Sequence, residues 1–298
     1  MALTMKEIVK WCEQEKREFW EYMLEEDKRE RMISTDQSMA AMEKTFTVMC
    51  ETIDTYRSER MSASGLVGDE GGKLEKYRTQ SVDKVEENGK QSPLCGNFMG
   101  EAMVIALKMA ESNSCMRRIV AAPTAGSCGV LPAVLIPYYR MKMGEKEEIV
   151  KALYVAGAIG QVIADKASIS GAQGGCQAEI GSASAMAAAA LTFLQGGNMD
   201  QMIQAAAIAL KGVLGLVCDP IAGLVEIPCV KRNVLGAVNA ISCADMAMAG
   251  IASKVPFDEV VDAMAEIGEK MDNSLRETAL GGLAATKTAK RITKDLQS

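Results

Sequence analysis

Along the first 60 residues apolar side chains recur among charged ones at three- and four-residue spacings, through Ile8, Trp11, Cys12, Phe19, Tyr22 and Met23. That period draws one apolar stripe down a helix. Residues 1–60 are therefore predicted to form charged, amphipathic N-terminal helices that pack on the rest of the protein or on a partner. Over residues 61–97 the period is lost. The strings SASGLVGDEGGK and ENGKQSP carry turn signals, and Gly65, Gly68, Gly71 and Gly72 free the backbone. This stretch reads as a Gly-rich loop region, either a linker or a lid over a site. Across residues 98–298 helical blocks alternate with Gly and Pro breaks, with predicted helices at 98–119, 133–143, 146–165, 177–194, 199–216, 233–253 and 257–271. The last has a clear start signal in Pro256, with Asp258 and Glu259 in its first turn. Several blocks are apolar around most of their circumference. The string GSASAMAAAALTF offers small side chains on every face, which suits a helix at the centre of a bundle. The predicted architecture is all-α, an Ala/Gly-rich helical bundle with functional loops between its helices.

Composition narrows the possibilities. With 48% apolar and 24% charged residues the chain is globular, and aromatic residues at 4% are too few for a typical β-sandwich or barrel. The net charge is −6 and no basic stripe gathers the positive residues, so nucleic acid is not an expected partner. There is no histidine. Ser-His-Asp and Cys-His catalysis and histidine-ligated metals are thereby excluded within this chain. The nine cysteines are an odd number, and the opening MALTMKEIVKWCEQEK has no apolar signal core. The longest weakly polar run, residues 183–194, is too short to span a bilayer. A cytoplasmic protein with reduced thiols and no membrane segment is expected.

Three segments break the helical pattern with Gly, Pro and small polar residues: APTAGSCGV from Ala122, SISGAQGGCQ from Ser168, and CDPIAGLVEIPCVKRN from Cys218. Buried loops are costly because their N–H and C=O groups need partners, so three in one domain suggest a site. Cys176 follows two glycines and opens a helix, where the dipole favours a thiolate. Cys218 precedes Asp219-Pro220, and Cys229 follows Pro228. The Cys-x41-Cys-x10-Cys spacing matches no zinc ribbon or ferredoxin run. Metal ligation and plain core packing both remain open for these three on spacing alone. In the first segment Thr124, Gly126 and Ser127 form either a turn whose N–H groups face an anion or a simple connection between helices. Lys166, at a helix end, is a base if desolvated, a partner for a carboxylate, or a solvated side chain near the helix dipole. Glu226 and Arg232 are ambiguous in the same way. Cys12, Cys50, Cys95, Cys115, Cys128 and Cys243 read as packing residues.

Taken together, the strings APTAGSCGVLPAVL, KASISGAQGGCQAEIGSASAMAAAAL, LGLVCDPIAGLVEIPCVKRN and ETALGGLAATKTAK make the chain closely resemble the α subunit of iron–sulfur-dependent bacterial L-serine dehydratases. The resemblance implies a lyase of amino-acid degradation whose [4Fe–4S] cluster is held by Cys176, Cys218 and Cys229. It implies an open iron acting as Lewis acid on the hydroxyl of L-serine, a base that removes the α-proton (Lys166 being the candidate in this chain), and release of pyruvate and ammonia without pyridoxal phosphate. The serine carboxylate would then rest on the Thr124, Gly126 and Ser127 turn. Single-chain family members also carry a β domain with a Ser-Ser-Ser-His-Thr motif that has no counterpart here, so a separate β subunit and an oligomer are expected. The last cysteine is Cys243 and the sequence closes Asp295-Leu-Gln-Ser298, so the tail cysteine that some relatives return to the open iron is not expected. The alternatives are a related iron–sulfur lyase acting on cysteine, and a non-enzymatic helical protein whose thiols pack or bind zinc.

Overall fold

A computed structural model describes residues 2–88 and 93–297. Among the described residues there are thirteen α-helices and no strand. Three form the N-terminal arm: α1 (Met5–Glu15), α2 (Phe19–Arg31) and α3 (Thr35–Asp54). Then come α4 (Glu70–Asn88), α5 (Asn97–Ser114), α6 (Val130–Arg140), α7 (Lys146–Lys166) and the single turn α8 (Gly171–Gly174). A π-helical turn, Gln177–Gly181, runs directly into α9 (Ser182–Leu194). The order ends with α10 (Met199–Lys211), α11 (Cys229–Met248), α12 (Phe257–Lys270) and α13 (Lys287–Gln297). The all-α expectation is met.

The centre is α9. It packs against α7, α10 and α11, and every residue from Ser182 to Thr192 is buried. Only small side chains permit that. A Cβ added to Gly160 on α7 would come within 3.0 Å of Met186, and one on Gly236 of α11 would lie 2.8 Å from Val130 and 3.1 Å from Ile180. Polar ties are few and internal. Asn239 Nδ2 donates to Ser184 Oγ at 2.8 Å and to Ala209 O at 2.9 Å, and Ser184 Oγ donates to Gly236 O at 3.0 Å, which links α9, α10 and α11.

The arm starts where the sequence signals it. Thr4 with Glu7, Glu18 with Glu21, and Ser34 with Gln37 form reciprocal caps at the three helix starts. The arm packs on its own chain: α2 and α3 lie on α7, with Ser38 Oγ 2.6 Å from Tyr154 Oη and also bonded to Asp27. The first turn of α1 is capped from far along the sequence, its Met5 and Lys6 N–H groups donating to Asp258 at 2.9 and 3.2 Å.

The region 61–97 is not loop throughout. Residues 70–88 are helical despite Gly71 and Gly72, because Glu111, 1% exposed on α5, accepts from the Glu70 N–H at 2.5 Å and the Gly71 N–H at 3.2 Å. Tertiary capping overrides the glycine penalty. Residues 89–92 of the ENGKQSP turn signal lie outside the described residues. Several predicted boundaries also move. The helix expected over 98–119 stops at Ser114, just before Met116 at φ 56, and that over 199–216 stops at Lys211. Those expected to start at 133 and 233 begin at Val130 and Cys229, and α13 had no counterpart in the sequence reading. Among the described residues no helix is long and apolar enough to cross a membrane.

Because α9 has no free face, we expect Ala187→Leu to destabilise the protein by about 1–3 kcal/mol through overpacking. The measurement is urea unfolding of variant against parent, with far-UV circular dichroism checking helicity.

Candidate active site

The three irregular segments of the sequence meet at the start of the central helix. Cys176 begins the π turn that continues into α9. Gly175 before it sits at φ 74, and a Cβ there would approach Met271 to 2.7 Å and Leu216 O to 2.9 Å, so glycine is required on both conformational and steric grounds. Gln177 pins the turn. Its N–H donates to Leu216 O at 2.9 Å, its Oε1 accepts from Gly215 N–H at 2.9 Å, and its Nε2 donates to Met264 O at 3.1 Å. Cys218 is paired through its backbone with the chain near its end: its N–H donates to Leu275 O at 2.8 Å and its C=O accepts from Glu277 N–H at 2.7 Å. Cys229 is the first residue of α11, and its carbonyl accepts from Asn233 Nδ2 at 3.0 Å.

All three thiols are buried. Burial pushes Cys176 up to about 11, with Arg232 opposing, and pushes Cys229 up to about 12, with Cys176 and Glu179 adding to the rise. Cys218 is raised further, first by burial and then by Cys176 and Glu179. At Cys176 the helix start is where the sequence put it, yet desolvation outweighs the helix dipole. The mutual influence of the thiols shows that they share one neighbourhood. Among the described residues no three His, Cys, Asp or Glu side chains close around a single metal ion. The other six cysteines are free as well, with Cys12, Cys128 and Cys243 buried in the core.

The structure brings Thr124, Gly126 and Ser127 together around a residue that the sequence reading did not single out, Glu179. Thr124 Oγ1 donates to Glu179 Oε1 at 2.7 Å and lies 3.1 Å from Ser127 Oγ. A Cβ on Gly126 would stand 3.0 Å from the same carboxylate oxygen. Glu179 also reaches the cysteines: a Cβ on Gly171 would lie 2.8 Å from Glu179 Oε2 and 3.0 Å from Cys218 Sγ. Burial raises the Glu179 carboxyl above its ordinary value, the Thr124 hydrogen bond opposes this, and Glu277 raises it further. The available signal was an acid placed three residues after a cysteine at the mouth of an otherwise apolar helix.

Lys166 is placed differently. Its amine lies 3.0 Å from Asp262 and 3.7 Å from Asp258 and donates to Asp258 O at 3.1 Å, all on α12, so the structure shows it as a partner for carboxylates. Glu226 accepts from Ser64, which lays the SASGL loop on the loop that carries Cys229. Arg232 donates to Val217 O at 2.7 Å and to Asp219 Oδ1 at 2.8 Å. Asn233 joins two of the loops by accepting from Gly129 N–H at 2.8 Å and donating to Gly126 O at 2.8 Å.

A family model described as "Serine dehydratase alpha chain" matches residues 14–284. The chain belongs to the serine dehydratase alpha-chain family. Family relatives cover it almost end to end. It is 42% identical over 296 residues to the probable L-serine dehydratase alpha chain of Bacillus subtilis, spanning 99% of this chain and 95% of that one. It is 40% identical over 295 residues to the L-serine dehydratase alpha chain of Peptoniphilus asaccharolyticus, spanning 99% and 98%. The L-serine dehydratase TdcG of Escherichia coli is 48% identical over 182 residues, which are 60% of this chain and 40% of that longer protein.

Asn233 satisfies three buried backbone groups, those of Gly126, Gly129 and Cys229. Asn233→Leu strands the first two, since the Cys229 carbonyl keeps its helical bond, and we expect a loss of about 2 kcal/mol, checked by chemical unfolding. Asn233→Asp keeps the acceptor for Gly129 N–H but turns a buried carboxylate oxygen on the carbonyls of Gly126 and Cys229, and should lose at least as much at neutral pH.

Proposed function

We propose that this chain is the alpha subunit of an L-serine dehydratase, in which Cys176, Cys218 and Cys229 hold a [4Fe–4S] cluster and L-serine is converted to pyruvate and ammonia. The observation that carries this reading is the meeting of three buried thiols from separate loops beside Glu179 and the Thr124 turn. Full-length relatives named L-serine dehydratase alpha chains supply the substrate. The donor set fits: three soft thiols and no competing imidazole suit iron–sulfur ligation. In a cubane each thiolate takes a different iron, so the three need not close on a single ion as zinc ligands do. When bound, the group would supply a Lewis-acidic iron that draws on the serine hydroxyl and eases its departure as water.

The residues of this chain do the rest. The turn of Thr124, Gly126 and Ser127 binds the serine carboxylate through its backbone N–H groups and the hydroxyl of Ser127, which Thr124 Oγ1 adjoins at 3.1 Å while donating to Glu179. Glu179, oriented by Thr124, takes the α-proton and passes it to the departing hydroxyl, which leaves the β-carbon as water. The aminoacrylate so formed tautomerises to the imine, and water hydrolyses it to pyruvate and ammonia. No step calls on pyridoxal phosphate. Lys166 acts as a tie between α7 and α12. A separate beta subunit completes the site, consistent with the "alpha chain" names of the relatives and with the greater length of the E. coli protein. Reduced thiols place such an enzyme in the cytoplasm.

The test is anaerobic reconstitution with iron and sulfide, followed by a pyruvate assay on L-serine with and without the beta subunit. Cys176→Ser should take up no cluster. Glu179→Gln should keep the cluster and lose about 10²–10⁴ in kcat, and Thr124→Val should raise KM. Turnover that survives Glu179→Gln but vanishes in Lys166→Gln would move the base to Lys166. Failure of the parent protein to bind iron and sulfide would return the cysteines to core packing.

A further inference from the structure

We infer that Arg232 is the positioning residue that holds Cys176, Cys218 and Cys229 in register and sets a fixed positive charge beside them. The inference rests on the cluster reading above and goes beyond it, because it concerns a residue that donates no ligand. Arg232 lies in the first turn of α11, three residues after Cys229. From there its side chain, 14% exposed, reaches back to the start of its own segment and grips it on both sides of Cys218, at Val217 O and at Asp219 Oδ1. The same guanidinium lies against the thiol of Cys176. One side chain therefore touches Cys176 itself, the two neighbours of Cys218, and the helix that Cys229 begins.

The arrangement is fixed from behind. Asp219, with 5% of its side chain exposed, gives its second oxygen, Oδ2, to the Leu283 N–H at 2.8 Å. Both carboxylate oxygens are used, so Asp219 cannot turn away from Arg232. Charge supplies the reason for a cation here. Three thiolates in a buried site, with Glu179 and Glu277 close by, concentrate negative charge where water cannot screen it, and a buried charge is tolerated only when it is paired. Arg232 acts on both Cys176 and Cys229. Lysine would retain the charge but not the planar fork that serves a carbonyl, a carboxylate and a sulfur together.

The experiment compares the reconstituted parent, Arg232→Gln and Arg232→Lys under anaerobic conditions. The readouts are the rate of iron loss to a chelator and the cluster reduction potential, with circular dichroism for folding. Arg232→Gln should lose iron about 10- to 100-fold faster, the usual effect of removing an outer-shell partner, and its potential should move negative because the reduced cluster loses an adjacent positive charge. Arg232→Lys should lose iron at an intermediate rate with a potential near that of the parent. If Arg232→Gln does not fold, Arg232→Lys decides: faster iron loss supports the inference and parental loss overturns it. An Arg232→Gln cluster with parental rate and potential overturns the role of Arg232 and leaves the cluster reading standing. A parent that takes up no cluster overturns both.

Discussion

The fold depends on a helix with almost no side chains to speak of. From Ser182 to Thr192, α9 offers alanine, serine, threonine, one methionine and one leucine, and other helices cover it on all sides. Close approach of backbones is what permits this. It also fixes where the site can be, because the first residue of the continuous helical run is Cys176. A thiol at that point is carried by the most enclosed element in the molecule, and the loops that bring Thr124, Cys218 and Cys229 are arranged around its end.

Enclosure creates a second problem, which the polar side chains solve. Irregular backbone inside a helical bundle must find partners for every N–H and C=O. Gln177 and Asn233 each serve two or three such groups, and Arg232 serves Val217 O together with the Asp219 carboxylate. These residues are therefore structural in a particular sense: they make it possible for loops, rather than helices, to reach the interior. The same desolvation that demands them also keeps the three thiols protonated until something takes their protons.

Much of this was legible in the sequence. The 3.6-residue period of the arm, the small-residue string of α9 and the Gly/Pro breaks gave an all-α bundle with three irregular segments, and Thr124, Gly126 and Ser127 do come together. What escaped was decided by distant partners. Helix α4 was hidden by Gly71 and Gly72, since the carboxylate that caps it lies on α5. Helix α13 escaped because its apolar stripe, Ala289, Ile292 and Leu296, is short and set among charged residues. Glu179 looked like one acid in an apolar helix until Thr124, far away in sequence, was found against it. Lys166 stood open in the sequence between a base, a partner for a carboxylate and a solvated amine, and α12 supplies Asp258 and Asp262.

The backbone pairing of Cys218 with Leu275 and Glu277 has a consequence for the order of events during synthesis. The segment that clasps Cys218, and the Leu283 N–H that fixes Asp219, are made well after Cys218 and Asp219 themselves. Asp258, which caps the first turn of α1, is also a late arrival. A nascent chain can thus close the local Thr4–Glu7 cap of α1 at once, but the second cap waits for Asp258 and the loop of Cys218 waits for Leu275 and Glu277. All three cysteines, Cys176, Cys218 and Cys229, are thus translated before the residues that clasp the loop of Cys218 exist.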